Sequence, residues 1–271
     1  MTSGSQSKAQ RRAENQRRAE ERRRAEQRQK QLRIGLWGLG GVAIIALVVV
    51  LIVTLTGGGS TGVPPTLKTP KVALQPIPAS MKASWIQPPA GTPGPEKVAV
   101  PSGPKLATLI NAGTGQTING VSCEAGEQLV VHVHTHLTIF VNGKQQVIPY
   151  GIGIPGAQAQ SLPGGPFVET GSCFYWLHVH AEDGIIHIES PNTTNTYTLG
   201  QFFDEWGVPL SSDQVGPAKG TVTVFFTSPG KQPALYTGNP RNLPLGDHYQ
   251  IQLVVGTPIV APYQVTNWGG L

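Results

Sequence analysis

Sulfur is scarce in this chain. Among 271 residues there are two methionines, Met1 and Met81, and two cysteines, Cys123 and Cys173. So few thioethers argue against a copper(I) carrier built on methionine. A blue-copper site needs a free cysteine, whereas an even pair outside the cytosol most simply forms a bridge. Closing the loop of about 50 residues between Cys123 and Cys173 stabilises a fold by about 4 kcal/mol in the chain-entropy view. Charge is also sparse, at 13% of residues, and unevenly spread. Residues 1–33 hold eleven Lys/Arg and four Glu, and the rest of the chain is slightly acidic. The net +5 therefore belongs to the tail, which is helical or disordered, and says nothing of partners elsewhere. The tail lacks aromatic interleaving and a folded module around its arginines, so nucleic acid is not expected as a partner.

Only one long apolar run exists, Ile34 to Thr56, 23 residues without a charge. At 1.5 Å per residue it reaches about 35 Å, enough for a hydrocarbon core of about 30 Å. No clear cleavage site comes after it. The run predicts a single-pass signal anchor with the lipid bilayer as partner, the basic tail in the cytoplasm and the remainder outside. Residues 57–105 hold eleven prolines and seven glycines and read as a semi-extended tether, with Trp85 and Ile86 as an apolar pair placed to dock on the domain beyond it.

Residues 106–263 are long enough for one core, with 264–271 as a C-terminal tail. Short alternating β-runs are punctuated by turns. Asn142-Gly143 is a type I′ hairpin signal. In "TLGQFFDEWG", Leu199, Phe202, Phe203 and Trp206 recur at helical spacing after a Thr198/Gln201 capping box, and Gly207 is placed to stop the helix. The expectation is a mainly β domain, barrel or sandwich, with one short helix; its hairpin–helix–hairpin end can also be drawn as a β-grasp half.

Histidine placement carries the chemistry. Alternate residues share a strand face. In "LVVHVHTHLTIFV", Leu129, Val131, Val133, Leu137, Ile139 and Val141 form one face, and His132, His134 and His136 the other. In "FYWLHVHAEDGIIHIES", His178 and His180 share a parity. A turn centred on Glu182-Asp183 sets His178 across from His187, and one at Asp183-Gly184 sets His180 there instead. Opposed Cβ atoms lie roughly 4.5–5.5 Å apart, so either register lets imidazoles share an ion, with Glu189 along the same face. His248 is on the polar parity of its own strand and is the weaker candidate. Imidazole and carboxylate ligands suit zinc or copper(II).

The segments "HVHTHLTIFVNGK", "CFYWLHVHAEDGIIHIESP" and "YTLGQFFDEWG" together resemble a family of uncharacterised membrane-anchored, extracytoplasmic prokaryotic proteins. The resemblance covers most of residues 120–256. It implies that His132, His134, His178, His180 and His187 belong together, and brings no activity. "GEQLVVHVH" and "GNPRNLPLGDHYQIQ", with Gly126, His132, His134, Gly238, Pro244, Gly246 and His248, resemble the two cupin motifs. An H-x-H strand beside a third His also looks like the zinc site of α-type carbonic anhydrases. Three functions stand as alternatives. One is a tethered metal-binding domain for capture, buffering or delivery. Another is a metalloenzyme with an open site, in which Glu189 or Asp183 acts as base or orienter. The third is a surface interaction domain whose histidines sense pH.

Overall fold

The structure, a computed structural model, describes residues 71–271. Its centre is an eight-stranded sheet built from β1 (Leu74–Gln75), β2 (Val131–Val141), β3 (Lys144–Gln146), β4 (Leu177–His178), β5 (Ile185–Ser190), β6 (Val222–Thr227), β7 (Ala234–Tyr236) and β8 (Tyr249–Val255). The order is β1-β7-β6-β8-β2-β5-β4, with β3 also on β2. Helix α1 (Ala79–Ser84) lies in the N-terminal segment, α2 (Leu199–Trp206) between β5 and β6, and a short 3-10 turn at Pro240–Asn242. The fold is mainly β with one amphipathic helix packed on the sheet.

Neither a barrel nor a sandwich forms. The sheet is open, ending at β1 and β4, and the other four sheets among the described residues are two-stranded. The hairpin–helix–hairpin part is laid out as β5-β2-β8-β6, with β2 and β8 parallel at its centre and both outer pairs antiparallel. A central strand is buried on both faces, which explains the fate of the alternation in β2. Leu137 and Ile139 face the main core with Leu177, Ile186, Ile188 and the α2 residues Leu199, Phe202, Phe203 and Trp206. The opposite face is covered too. Phe140 packs with Phe225, Val254 and Val260, and Met81 of α1 rests on them.

Local signals act as their chemistry requires. Thr198 caps α2 reciprocally with Gln201, and Gly207 ends it in the left-handed region at φ 78°. Asn142 and Gly143 both take positive φ, 49° and 76°, in the β2–β3 turn. Cys123 and Cys173 are bridged, beside the ribbon in which Cys123–Glu124 pairs Phe174–Tyr175. The run Phe174–His180 is not one continuous strand: Phe174–Tyr175 belongs to that ribbon and only Leu177–His178 joins β5.

Two expectations require correction. From residue 71 onward the Pro/Gly-rich stretch is no free tether. Leu74–Gln75 pairs β7, Ile86 bridges to Val260, and Val98 is buried with Ile185 and Val265. Proline and glycine here shape a wrapping segment that covers the second sheet face. The single-pass anchor is not upheld either. Among the described residues no helix is long and apolar enough to cross a membrane, and 34–56, like the basic tail, lies outside them. The bilayer partner and the outside placement of the domain rested on that span and lose their support with it.

Candidate metal centre

The site forms where β2, β5 and β4 run side by side. The hairpin takes the register centred on Glu182-Asp183, so His178 stands opposite His187. On its other edge β5 pairs β2, setting His134 opposite His187 and His132 opposite Glu189. Beyond His178 the chain leaves the ladder and bends back. The Val168 N–H donates to the His180 carbonyl, which brings that side chain over the same face. His178, His180, His187 and Glu189 are all buried, and each offers a ligand atom within 4.8 Å of the others.

Hydrogen bonds fix which nitrogens are free. A carbonyl can only accept, so His178 Nδ1–H donates to the Tyr175 carbonyl at 2.8 Å and His180 Nδ1–H donates to that of Val168. Both neutral rings must then carry their lone pair on Nε2. Those two Nε2 atoms face each other across 3.0 Å. Lone pair against lone pair is repulsive unless a cation lies between. Burial, followed by the neighbouring histidines, holds the His178 imidazole well below its ordinary range. His180 is lowered too, by burial and then by His187. Protons are therefore disfavoured there. Two nitrogens bound to one zinc at about 2.0–2.1 Å in tetrahedral geometry lie about 3.3 Å apart, close to the spacing seen.

His187 is held differently. Its Nε2–H donates to Glu96 Oε1 at 2.7 Å, leaving Nδ1 buried with no hydrogen-bond partner among the described residues and 3.5 Å from Glu189 Oε1. Burial alone would depress this imidazole, but the adjacent carboxylates of Glu189 and Glu96, the latter hydrogen-bonded to Nε2, outweigh it and push it up to about 9. A carboxylate behind a histidine is how proteins orient a ligand ring and raise its basicity. Glu189 Oε1 also lies 3.2 Å from His132 Nε2 and 3.6 Å from His178 Nε2, while its Oε2 is buried without a hydrogen-bond partner among the described residues. Three imidazoles and this carboxylate form a buried cluster that can coordinate a divalent ion such as zinc or copper.

The cluster is not sealed. A cleft of about 340 Å³ opens over it, lined among others by His132, His180, His187, Glu127 and Glu189. Glu127 Oε1 lies 3.6 Å from His180 Nε2 at its wall, and its carboxyl is raised, by burial first and then by the charge of Glu189.

Not every candidate histidine joins. His134 and His132 sit beside the cluster, their Nε2 atoms 3.1 Å apart, and the His134 imidazole is pushed down to about 2 by burial and by His187 and His132. His136 stands one strand repeat further along β2, roughly 6–7 Å on. Its Nε2–H donates to the Asp183 carbonyl at 3.0 Å and its ring meets Tyr263 and Trp268, so it lies outside the cluster. His248 has its Nε2–H on the Leu271 carbonyl at 3.1 Å and packs on Trp268, with the backbone at φ 52°. These contacts tie it to the C-terminus. Asp183 is buried; its Oδ1 accepts from the Ile185 N–H, and burial and then Glu96 hold its carboxyl well above its ordinary range. It does not line the cleft over the cluster, whereas Glu189 is placed as a ligand.

Glu96 and Glu127 were not among the residues singled out in the sequence. Glu96 lies in the stretch read as a tether, and its signal is faint: an acidic residue before Lys97, whose φ of 64° marks a tight turn. Glu127 precedes β2 in an irregular approach.

No protein-family model matches the chain, and no curated protein or solved structure is similar enough to be a relative. The resemblances to the anchored family, to cupins and to α-type carbonic anhydrases are therefore not upheld. For the cupin motifs the structure supplies the reason: His248 points to the C-terminus, and the open sheet is no barrel.

Proposed function

We propose that the chain is a His-ligated metalloenzyme of the hydrolase or lyase kind, using a divalent ion, zinc or copper(II), held by His178 Nε2, His180 Nε2, His187 Nδ1 and Glu189. The observation that carries the reading is the pair of Nε2 lone pairs facing each other at 3.0 Å with both Nδ1 protons committed to carbonyls. A divalent ion in that position supplies Lewis acidity and makes water bound to it more acidic.

The chain's own residues supply the rest. Glu96 holds the His187 ring with Nδ1 turned inward. Phe167 stacks on His180 with ring centroids 5.2 Å apart and shields one side from water. Glu127, at the cleft wall with a raised carboxyl, is placed to give or take a proton at Oε1. Capture, buffering or delivery of a metal needs the ligands alone. The cleft and its acidic wall favour chemistry on a bound molecule, because zinc and copper(II) accept a fifth ligand from an open side. A pH sensor near neutrality fits poorly, since His134 at about 2, His136 at about 4 and His187 at about 9 all titrate away from it.

The test uses the full chain without a polyhistidine tag, loaded with cobalt(II) as a visible reporter. The reading expects one tightly held ion whose absorption changes when azide or a hydroxamate enters the cleft. A chain that holds no cobalt above its His178→Ala variant would defeat the metal reading, and a spectrum indifferent to added ligands would leave storage in place of catalysis.

A further inference from the structure

Resting on that metal reading, we infer that the cleft holds two divalent ions, the second bound by His132 Nε2 and His134 Nε2, with Glu189 bridging the two. The strand order gives the arrangement. β5 is the middle strand of three and presents His187 and Glu189; β4 and the segment just after it deliver His178 and His180 from one side, and β2 delivers His132 and His134 from the other. Each pair brings two Nε2 atoms together, at 3.0 Å for His178/His180 and 3.1 Å for His132/His134, and in the first pair both Nδ1 protons are also committed to carbonyls. His132, His134 and His187 also offer ligand atoms within 4.8 Å of one another.

Valence decides how the middle strand is shared. The Nε2 of His187 is committed to Glu96, so the ring has one lone pair to give and serves one ion. Glu189 has two oxygens. Its Oε1 is already near nitrogens from both sides, 3.2 Å from His132 and 3.6 Å from His178, and its Oε2 is buried with no hydrogen-bond partner among the described residues. That is the position a bridging carboxylate needs. Charge agrees. Among the described residues the cleft is lined by four carboxylates, Glu96, Glu127, Glu169 and Glu189, and by no Lys or Arg. One divalent ion would leave that wall negative; two would offset it. The second position is also the more accessible one, because His132 is 42% exposed while His178 is fully enclosed. Two-metal centres with ions about 3.5–4 Å apart clamp both oxygens of a displacement at phosphorus or carbon, so the substrate class implied is an ester or amide, phosphoryl or acyl.

The test counts ions. Metal-free full chain is titrated with zinc, freed of excess and analysed for bound metal, and a parallel copper(II) titration is followed by electron paramagnetic resonance. Two zinc per chain are expected, falling to one in His132→Gln, which is tolerable at a half-exposed side chain. The copper signal should grow with the first equivalent and weaken with the second as the ions couple through Glu189. If wild type and His132→Gln both bind one zinc that His178→Gln abolishes, the second position is wrong and the first stands. Two ions with uncoupled spectra, or two still bound in both His132→Gln and His134→Gln, also overturn it. No zinc at all removes both the bridge and the reading it rests on.

Discussion

Glu96 Oε1 accepts the His187 Nε2 proton at 2.7 Å, joining side chains 91 positions apart in the sequence. The contact ties the N-terminal wrapping segment to the middle strand of the site, and fixes which nitrogen of His187 faces Glu189. Glu96→Gln keeps the shape of the side chain and removes its charge. Zinc affinity is expected to drop about 10–100-fold with the fold intact. Unchanged affinity by competition with a chromophoric chelator would show that Glu96 does not act through His187.

The proton on His187 sets a pH dependence. With its folded value raised to about 9, the metal-free chain carries an imidazolium there at neutral pH, and an incoming ion must displace that proton. Apparent zinc affinity should therefore rise about tenfold per pH unit up to about pH 9 and then level. An affinity flat between pH 7 and 8.5 would place the ion elsewhere.

His136 gives the opposite sign, and acts on folding. Burial lowers it to about 4, offset only in part by the bond to the Asp183 carbonyl. A folded value below the unfolded one means that the unfolded chain binds the extra proton as pH falls through 6.5. Stability is then lost between pH 6.5 and 4, by about 3 kcal/mol for this residue. Urea midpoints should fall over that window, and less so in His136→Gln.

Much of the site was legible in the sequence, and the reason is periodicity. His132, His134, His178 and His187 were put on one face by strand parity, while the two possible turns left either His178 or His180 opposite His187, because a period of two removes the freedom only once a turn is fixed. His180 shared that parity but reaches the cluster by leaving the strand, which no alternation predicts. His136 had the right parity and the wrong row. Position along a strand depends on how neighbours are staggered, and that is a long-range property. The parallel pairing of β2 with β8 joins segments more than a hundred residues apart, so the open sheet could not be told from a barrel. Glu96 was hidden for another reason. Proline and glycine spacing describes backbone stiffness, and a stiff segment can wrap a domain as well as hold it at a distance.

Glu205 offers a test independent of metal. It is buried in α2 beside Trp206, and neither carboxylate oxygen has a hydrogen-bond partner among the described residues. Burial, and then Asp204, holds its carboxyl well above the ordinary range. Such a group destabilises the fold increasingly as pH rises above its unfolded value, because the unfolded chain releases the proton. Glu205→Met should stabilise the protein at pH 7 by about 1–3 kcal/mol, with a smaller gain at pH 4. A loss of stability at pH 7 would mean that the carboxyl has a favourable role in the core.

The central claim is that one ion sits among His178, His180, His187 and Glu189. Anomalous diffraction at the zinc edge from crystals of the zinc-loaded chain tests it most directly. The account predicts a peak about 2 Å from His178 Nε2, His180 Nε2 and His187 Nδ1. Well-ordered density with those nitrogens in place and no anomalous peak between them would contradict it.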